Sequence, residues 1–123
     1  MGGDWWGVRR VPPSSPALID RPGAVTLATT DPGSMTVYVS DALSGRLLER
    51  VMVHEMGHCA LWSLGLADSL HRMVYPLMWV EAEEWACNLL ADYGEEVLEK
   101  SREVLGDMAL YEVPKRLEKV AYA

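Results

Sequence analysis

The stretch Val51-Met-Val-His-Glu-Met-Gly-His-Cys59 decides how the rest of this chain is interpreted. Apolar residues before and after it recur at helical spacing and share a stripe with His54 and His58. Residues four apart lie one above the other on a helix, so the two imidazoles can reach a single ion. The pattern predicts a helix that begins near Ser40 or Asp41, ends before Gly65 and turns both histidines toward the core.

The residue types of this motif indicate a zinc site. Zinc binds imidazole nitrogens at about 2.0–2.1 Å in tetrahedral geometry, which two histidines at this spacing can satisfy. Glu55 follows His54 by about 100° around the helix, so its carboxylate would lie beside the ion rather than on it. There it can accept a proton from zinc-bound water. We therefore expect one Zn²⁺ per chain, His54 and His58 as ligands and Glu55 as the catalytic base.

A third ligand is expected from a second helix, which the sequence predicts from about residue 76 or 78 to at least Leu98. Angles measured from its apolar stripe place Glu81 nearest the buried edge, Glu84 further off and Glu83 near the outer face. Glu81 is the favoured third ligand and Glu84 the reserve. Glu83 fits a solvated helix start, where acidic residues favour the helix dipole. The stripe itself consists of Met78, Ala82, Trp85, Ala86, Leu89 and Tyr93.

Other polar residues have open roles at this stage. Asn88 shares a helix edge with Glu81, and from there it could hydrogen-bond a zinc-bound histidine. His71 could be a ligand, a donor to the transition state or a surface residue. Three tyrosines are possible oxyanion donors, and nothing in the sequence selects one of them: Tyr75, Tyr93 and Tyr111.

The flanking segments predict an α+β fold. Residues 24–30 and 35–40 alternate in the manner of strands, and the Pro-Gly turn between them favours an antiparallel hairpin packed on the zinc-binding helix pair. Residues 1–23 are rich in glycine, proline and serine and should be largely irregular. One or two helices are expected over 94–123. We expect a single domain of residues 1–123 whose catalytic core is 24–93.

Bulk properties narrow the function classes. The chain has 123 residues and a formal net charge of −7, which disfavours direct contact with nucleic acid. Cys59 and Cys87 are too few for a disulfide framework and fit buried core positions better than zinc ligands. No apolar run suggests a signal peptide or a membrane span, so we expect no membrane partner and a cytoplasmic protein. Oligomeric state is not indicated.

A family resemblance rests on two blocks of residues. The motif from His54 to His58 is followed, some twenty residues later, by Glu81-Ala-Glu-Glu-Trp-Ala-Cys-Asn-Leu-Leu90. Together they resemble the ImmA/IrrE-type metallopeptidases of bacteria and phages, over about residues 24–93. The resemblance implies a gluzincin-like zinc site with Glu81 as third ligand, and a strand edge that holds the substrate. It also implies protein substrates such as phage or mobile-element repressors. The chain departs from the usual block at Glu83 and Trp85. It also lacks the common Leu-Leu-x-Pro ending, because Leu90 is followed by Ala91 and Asp92.

Two hypotheses of function follow. The first is a zinc endopeptidase, in which the strand over Met35–Ser40 is the edge that pairs with an extended protein or peptide substrate. The second is a zinc-stabilised, latent or non-catalytic regulatory or binding module, since small domains often need a metal to stabilise them. In the latent form, a group of the C-terminal segment would fill the open zinc position: Asp107, Glu112 or the terminal carboxylate.

Overall fold

The computed structural model describes Met1 and residues 3–110, and its architecture is α+β, as the sequence predicts. Three strands come first, and three helices follow: β1 Gly7–Val11, β2 Ala28–Asp31, β3 Thr36–Ser40, α1 Gly45–Ser63, α2 Leu66–Met73 and α3 Trp79–Leu105. Short 3-10 helices occupy Pro16–Leu18, Pro76–Met78 and Gly106–Leu110. The chain divides into two compact units, Met1–Asp92 and a second that begins at Tyr93. The single domain of residues 1–123 stays a prediction.

The sheet contains the expected hairpin and one strand that the sequence did not predict. Strands β2 and β3 are antiparallel, with Thr29 opposite Tyr38. Strand β1 pairs with β3 in parallel, so five residues of the segment 1–23 belong to the sheet. Its strand was missed because it carries two arginines instead of an alternating apolar pattern. Arg10 has a structural role, since its guanidinium donates to the carbonyl oxygens of Asp41 (3.2 Å) and Leu43 (2.5 Å).

The strand order β1-β3-β2 changes which strand can accept a peptide. Strand β3 is central, with a partner on each side, so the prediction that Met35–Ser40 forms the free edge is wrong. The edge strand beside α1 is β2, which packs against that helix. The sequence pattern predicts only β2 and β3, and in such a hairpin β3 would have a free edge. The pairing of β1 with β3 makes β3 internal.

Helix α1 covers the sheet and ends as predicted. Gly65 follows it in the left-handed conformation (φ 69°), which glycine adopts without strain. The buried face of α1 is rotated from the expected stripe. Leu47 is half exposed, whereas Glu55, Gly57 and Cys59 are buried. The apolar core of sheet and helix joins two sets of residues: Ala28, Val39 and Leu43, with Leu48, Val51 and Met52 packed against them.

Helices α1 and α3 approach closely at one glycine. A Cβ atom added at Gly57 would lie 3.0 Å from the Sγ of Cys87 and 3.4 Å from its Cα. The contact with the thiol is tighter than an ordinary van der Waals contact, whereas the contact with the Cα is ordinary, so the thiol or one of the helices would have to shift by a few tenths of an ångström. The absence of a side chain at Gly57 therefore sets how near the two helices can come.

In the part of the chain that the structure describes, none of the helices has the length and apolar character needed to cross a membrane.

The close approach predicts the effect of Gly57→Ala. We expect the free energy of unfolding to fall by about 1–3 kcal/mol, because the added methyl group overpacks the α1–α3 contact. Helix propensity alone would act in the opposite direction, by about 1 kcal/mol in favour of alanine. Chemical denaturation of the metal-free protein measures the change.

The matched controls are Cys87→Ala and the double variant. Removing the thiol should make room for the new methyl group, so the double variant should recover part of the loss. A Gly57→Ala protein that is as stable as the parent would contradict the close approach.

Candidate metal centre

Helix α1 places His54 and His58 one turn apart with their rings in edge-to-face contact. The ring centroids are 5.0 Å apart, and the planes are inclined by 66°. The two Nε2 atoms are 3.3 Å apart. Both rings therefore direct the same nitrogen toward one point beside the helix.

Helix α3 brings a carboxylate to that point. Glu84 lies with its Oε1 3.0 Å from Nε2 of His58 and its Oε2 3.1 Å from Nε2 of His54. Within the described residues, His54, His58 and Glu84 are the one group of three or more histidine, cysteine or acidic side chains with converging donor atoms. The side chains of the two histidines are largely buried, and that of Glu84 is about half exposed (46%).

The spacing of these donors suits a tetrahedral ion. Donor atoms on tetrahedral zinc lie about 3.3 Å apart when each bond is about 2.0–2.1 Å long. The three separations between His54, His58 and Glu84 described above match that spacing within a few tenths of an ångström. Two imidazoles and one carboxylate are also a donor set that zinc accepts and that leaves one position open. The residues present therefore fit the ion that the sequence predicts.

The outward-facing nitrogens of both imidazoles also have partners. Nδ1 of His54 is 2.8 Å from Oδ1 of Asn88, an oxygen that can only accept, so Nδ1 carries the proton and donates. When the ring is neutral, as a metal ligand must be, Nε2 is then left with its lone pair. Nδ1 of His58 faces Oε2 of Glu83 at 3.8 Å, which is ion-pair range rather than hydrogen-bond contact. The hydrogen bond to Asn88 thus gives the His54 ring the polarity that a metal ligand requires.

Charge interactions inside the cluster are strong. Hydrogen bonds from His54 and then His58 hold the pKa of the Glu84 carboxyl well below its usual range, against the opposing effect of burial. The hydrogen bond to Glu84 raises the pKa of His54, and again burial opposes the shift. Without a metal, the cluster therefore favours an ion pair between His54 and Glu84.

The carboxylate of Glu55 is buried and held by the sheet. Only 5% of this residue is exposed. The hydroxyl of Thr30 on β2 donates to Oε2 of Glu55 at 2.5 Å. The carboxylate that the sequence predicts as the general base is therefore held in place beside the candidate metal site.

Glu55 and the cluster share one cavity of about 850 Å³. Its walls come from three directions: strand β2 with the segment before it, the α1 side chains that include His54 and His58, and the α3 face that carries Glu84. Tyr38 also lines it, whereas Tyr75 and Tyr93 do not and are largely exposed. Tyr111 lies outside the described residues.

Among the three glutamates of α3, the structure favours a different one from the sequence. Glu81 is exposed and is not part of the cluster, so the geometry favours Glu84, the reserve candidate. The prediction for Glu83 was wrong, because this residue is only 8% exposed. The error came from the assumed stripe: Trp85 is 69% exposed, and the buried face is centred between Glu83 and Cys87. Measured around the helix axis from that centre, Glu84 lies about 80° away and Glu81 about 140° away, so Glu84 is nearer the buried face.

His71 lies on α2 outside the cavity. Its Nε2 is 2.5 Å from Oε1 of Glu83, and its ring stacks on Trp79. Because it neither joins the metal cluster nor lines the cavity, the ligand and transition-state roles considered for it receive no support.

Both cysteines are buried core residues, as expected. Burial raises the pKa of the Cys59 thiol to about 11 and that of Cys87 to about 12. Neither thiol belongs to the group of converging donor atoms among the described residues. The donor set of the site is therefore nitrogen and oxygen.

Sequence reasoning missed two residues of the site. Thr30 was seen only as one hydroxyl of an alternating strand, and no local signal tells it apart from Thr26 or Thr29. Glu83 was assigned to the outer face because the apolar stripe assumed for α3 lies on the wrong side of the helix.

No family model, no curated protein and no solved structure matches this chain.

Proposed function

We propose that this chain is a zinc-dependent peptidase in which His54, His58 and Glu84 hold the metal and Glu55 is the general base. The observation that carries the proposal is the convergence of two Nε2 atoms and one carboxylate at separations of 3.0–3.3 Å, beside a buried glutamate. Zinc bound there would supply Lewis acidity and lower the pKa of a coordinated water toward about 7.

Glu55 would carry the proton transfers. Its carboxylate accepts a proton from the attacking water and passes that proton to the departing amine, so the peptide bond breaks without net change at the residue. The hydroxyl of Thr30 holds one carboxylate oxygen and leaves the other free for this exchange. Burial of Glu55 also limits competition from bulk water.

Strand β2 would position the substrate. The N–H of Ser40 donates to the carbonyl of Leu27 at 2.9 Å, so the antiparallel alternation turns the main-chain groups of Ala28 and Thr30 away from β3. The carbonyl of Ala28 already accepts from the hydroxyl of Thr26. Thr30 is therefore the position at which an extended peptide could add to the edge. A protein segment in extended conformation is the proposed substrate class, and a phage or mobile-element repressor stays a prediction from the resemblance.

The ligand assignment predicts opposite results for two neighbouring glutamates. Protein purified without a histidine tag should contain about one zinc per chain, and Glu84→Gln should lose most of it because one of three ligands is removed. Glu81→Gln removes the same charge from an exposed position and should bind zinc like the parent. Elemental analysis with chelator competition measures both. Zinc below about 0.1 per chain in the parent would rule out the proposed site, since such sites bind tightly.

Removal of the general base should separate binding from turnover. Glu55→Gln is expected to keep zinc and to lower kcat by about 10²–10⁴, the usual contribution of a positioned base. Cleavage of a fluorescent unfolded protein by the zinc-loaded enzyme is the measurement. Glu49→Gln, at an exposed site on α1, is the matched control and should cleave normally.

Two further outcomes are informative in this assay. Thr30→Val should also lower kcat, since a buried carboxylate loses its donor, and Thr30→Ser should restore it. A parent protein that binds zinc but cleaves no unfolded protein would favour the regulatory module instead. In that case Glu55→Gln would be indistinguishable from the parent.

Zinc affinity should depend on pH through His54. Glu84 raises the pKa of His54, so zinc must displace a proton that a free histidine would already have lost. Affinity is therefore full above the raised pKa and should fall about tenfold per pH unit below it for each proton displaced. Competition titrations between about pH 8 and about pH 6 cover the interval in which histidine titrates. An affinity that does not change over this interval would contradict the assignment of His54 as a ligand.

A further inference from the structure

The third histidine of the chain is held in a fixed orientation without touching the cavity. The ring of His71 stacks on the indole of Trp79, with centroids 4.6 Å apart and planes inclined by 14°. The indole Nε1 also donates to the backbone carbonyl of His71 at 3.0 Å. Only 19% of the His71 side chain is exposed. A surface histidine without a role would not need two constraints from the same tryptophan.

The one polar partner that this ring has on α3 is a buried carboxylate. Nε2 of His71 lies 2.5 Å from Oε1 of Glu83, and the opposite oxygen of Glu83 faces Nδ1 of His58. A carboxylate at 8% exposure is costly unless donors compensate it. Here His71 is the donor in hydrogen-bond contact, and His58 lies within ion-pair range. The three side chains therefore form a row that runs from α2 through α3 to α1.

We propose that His71 is a positioning residue that acts through Glu83 on His58. The N–H of His71 fixes the Glu83 carboxylate, and that carboxylate in turn favours the His58 tautomer that carries its proton on Nδ1. Nε2 of His58 is then free to donate its lone pair on the side where Glu84 lies. This inference rests on the proposed zinc site, because the benefit to His58 is a benefit to metal binding.

Two features of the geometry favour this role over a purely structural ion pair. Glu83 immediately precedes Glu84, so the same turn of α3 supplies one carboxylate to each nitrogen of His58. His54 has the equivalent arrangement, with Asn88 on Nδ1 and Glu84 on Nε2. Each histidine of the cluster thus has an outer acceptor, and only the acceptor of His58 is itself held by another histidine.

The test compares two substitutions that remove different properties of His71. His71→Phe keeps an aromatic ring to stack on Trp79 and loses the N–H donor. His71→Gln loses the stacking and keeps a donor within reach of Glu83. Zinc affinity is measured by chelator competition at one pH above the range in which His54 titrates, and the metal-free unfolding midpoint of every variant is measured beside it.

We expect His71→Phe to weaken zinc binding about tenfold, the lower end of what loss of an outer partner causes, and Glu83→Gln to weaken it about 10–100-fold. His71→Gln should weaken it less than His71→Phe. The double variant His71→Phe/Glu83→Gln should bind like Glu83→Gln alone, because His71 acts only through that carboxylate. The Co²⁺ absorption bands of these variants should keep the parent's shape, since all three ligands remain.

The outcomes separate this inference from the zinc site itself. A parent that binds no zinc removes both. A parent that binds zinc tightly, with His71→Phe equal to it, overturns the role of His71 alone. Additive losses in the double variant also overturn it, because His71 would then act independently of Glu83. Glu81→Gln controls for the loss of one charge on α3. If His71→Phe does not fold, the zinc affinity of His71→Gln is compared with that of the parent instead.

Discussion

The contact between α1 and α3 at Gly57 and Cys87 is the constraint on which the candidate site depends. Because Gly57 has no side chain, α3 can approach until the thiol of Cys87 lies against the backbone of α1. Glu83 and Glu84 precede Cys87 by about one turn, and His54 and His58 flank Gly57. A wider crossing would move the carboxylates away from the imidazoles by the same amount, whatever the identity of those residues. The motif on α1 supplies two residues of the candidate metal site, and the helix crossing brings the third beside them.

Around that crossing the polar groups are arranged in order of distance from a common centre. The innermost atoms are the Nε2 atoms of His54 and His58 and the carboxylate of Glu84. The next are Asn88 and Glu83, which face the Nδ1 atoms. Among the described side chains, no buried nitrogen or oxygen atom lacks a hydrogen-bond partner. A partly buried polar network whose buried atoms all have partners restricts its side chains to few arrangements, which a binding site requires.

The sequence predicted the parts of this site that depend on local geometry. The spacing of His54 and His58 is a property of any helix, and so is the lateral position of Glu55. The end of α1 at Gly65 could also be predicted from local sequence, because glycine readily takes the left-handed conformation that ends a helix. The choice between Glu81 and Glu84 was not, because it depends on which face of α3 is buried. Apolar periodicity misled that choice: Trp85 lies on the exposed side, while the buried side carries a glutamate.

In the sheet, too, the parts that depend on local sequence patterns were predictable, and the part that depends on distant contacts was not. The hairpin of β2 and β3 follows from alternation and a turn signal between neighbouring segments. Strand β1 has no such signal, and its place beside β3 depends on contacts with residues about thirty positions away, among them the carbonyl groups that Arg10 binds. Pattern reasoning detects pairings between adjacent segments far better than pairings between distant ones.

The parallel strand β1 has a consequence for function that the hairpin alone would not have. With β1 on one side of β3, the sheet offers its other edge, β2, to the cavity. The side chain of Thr30 then points to Glu55, while its main chain faces away from β3. A peptide added at this edge would pair with Thr30, the same residue that holds Glu55, the proposed base. Substrate position and base position would thus share one reference point, so the scissile bond and the carboxylate could not shift independently of each other. Such coupling is valuable in catalysis because misplacement of about 1 Å can cost about 10²-fold in rate.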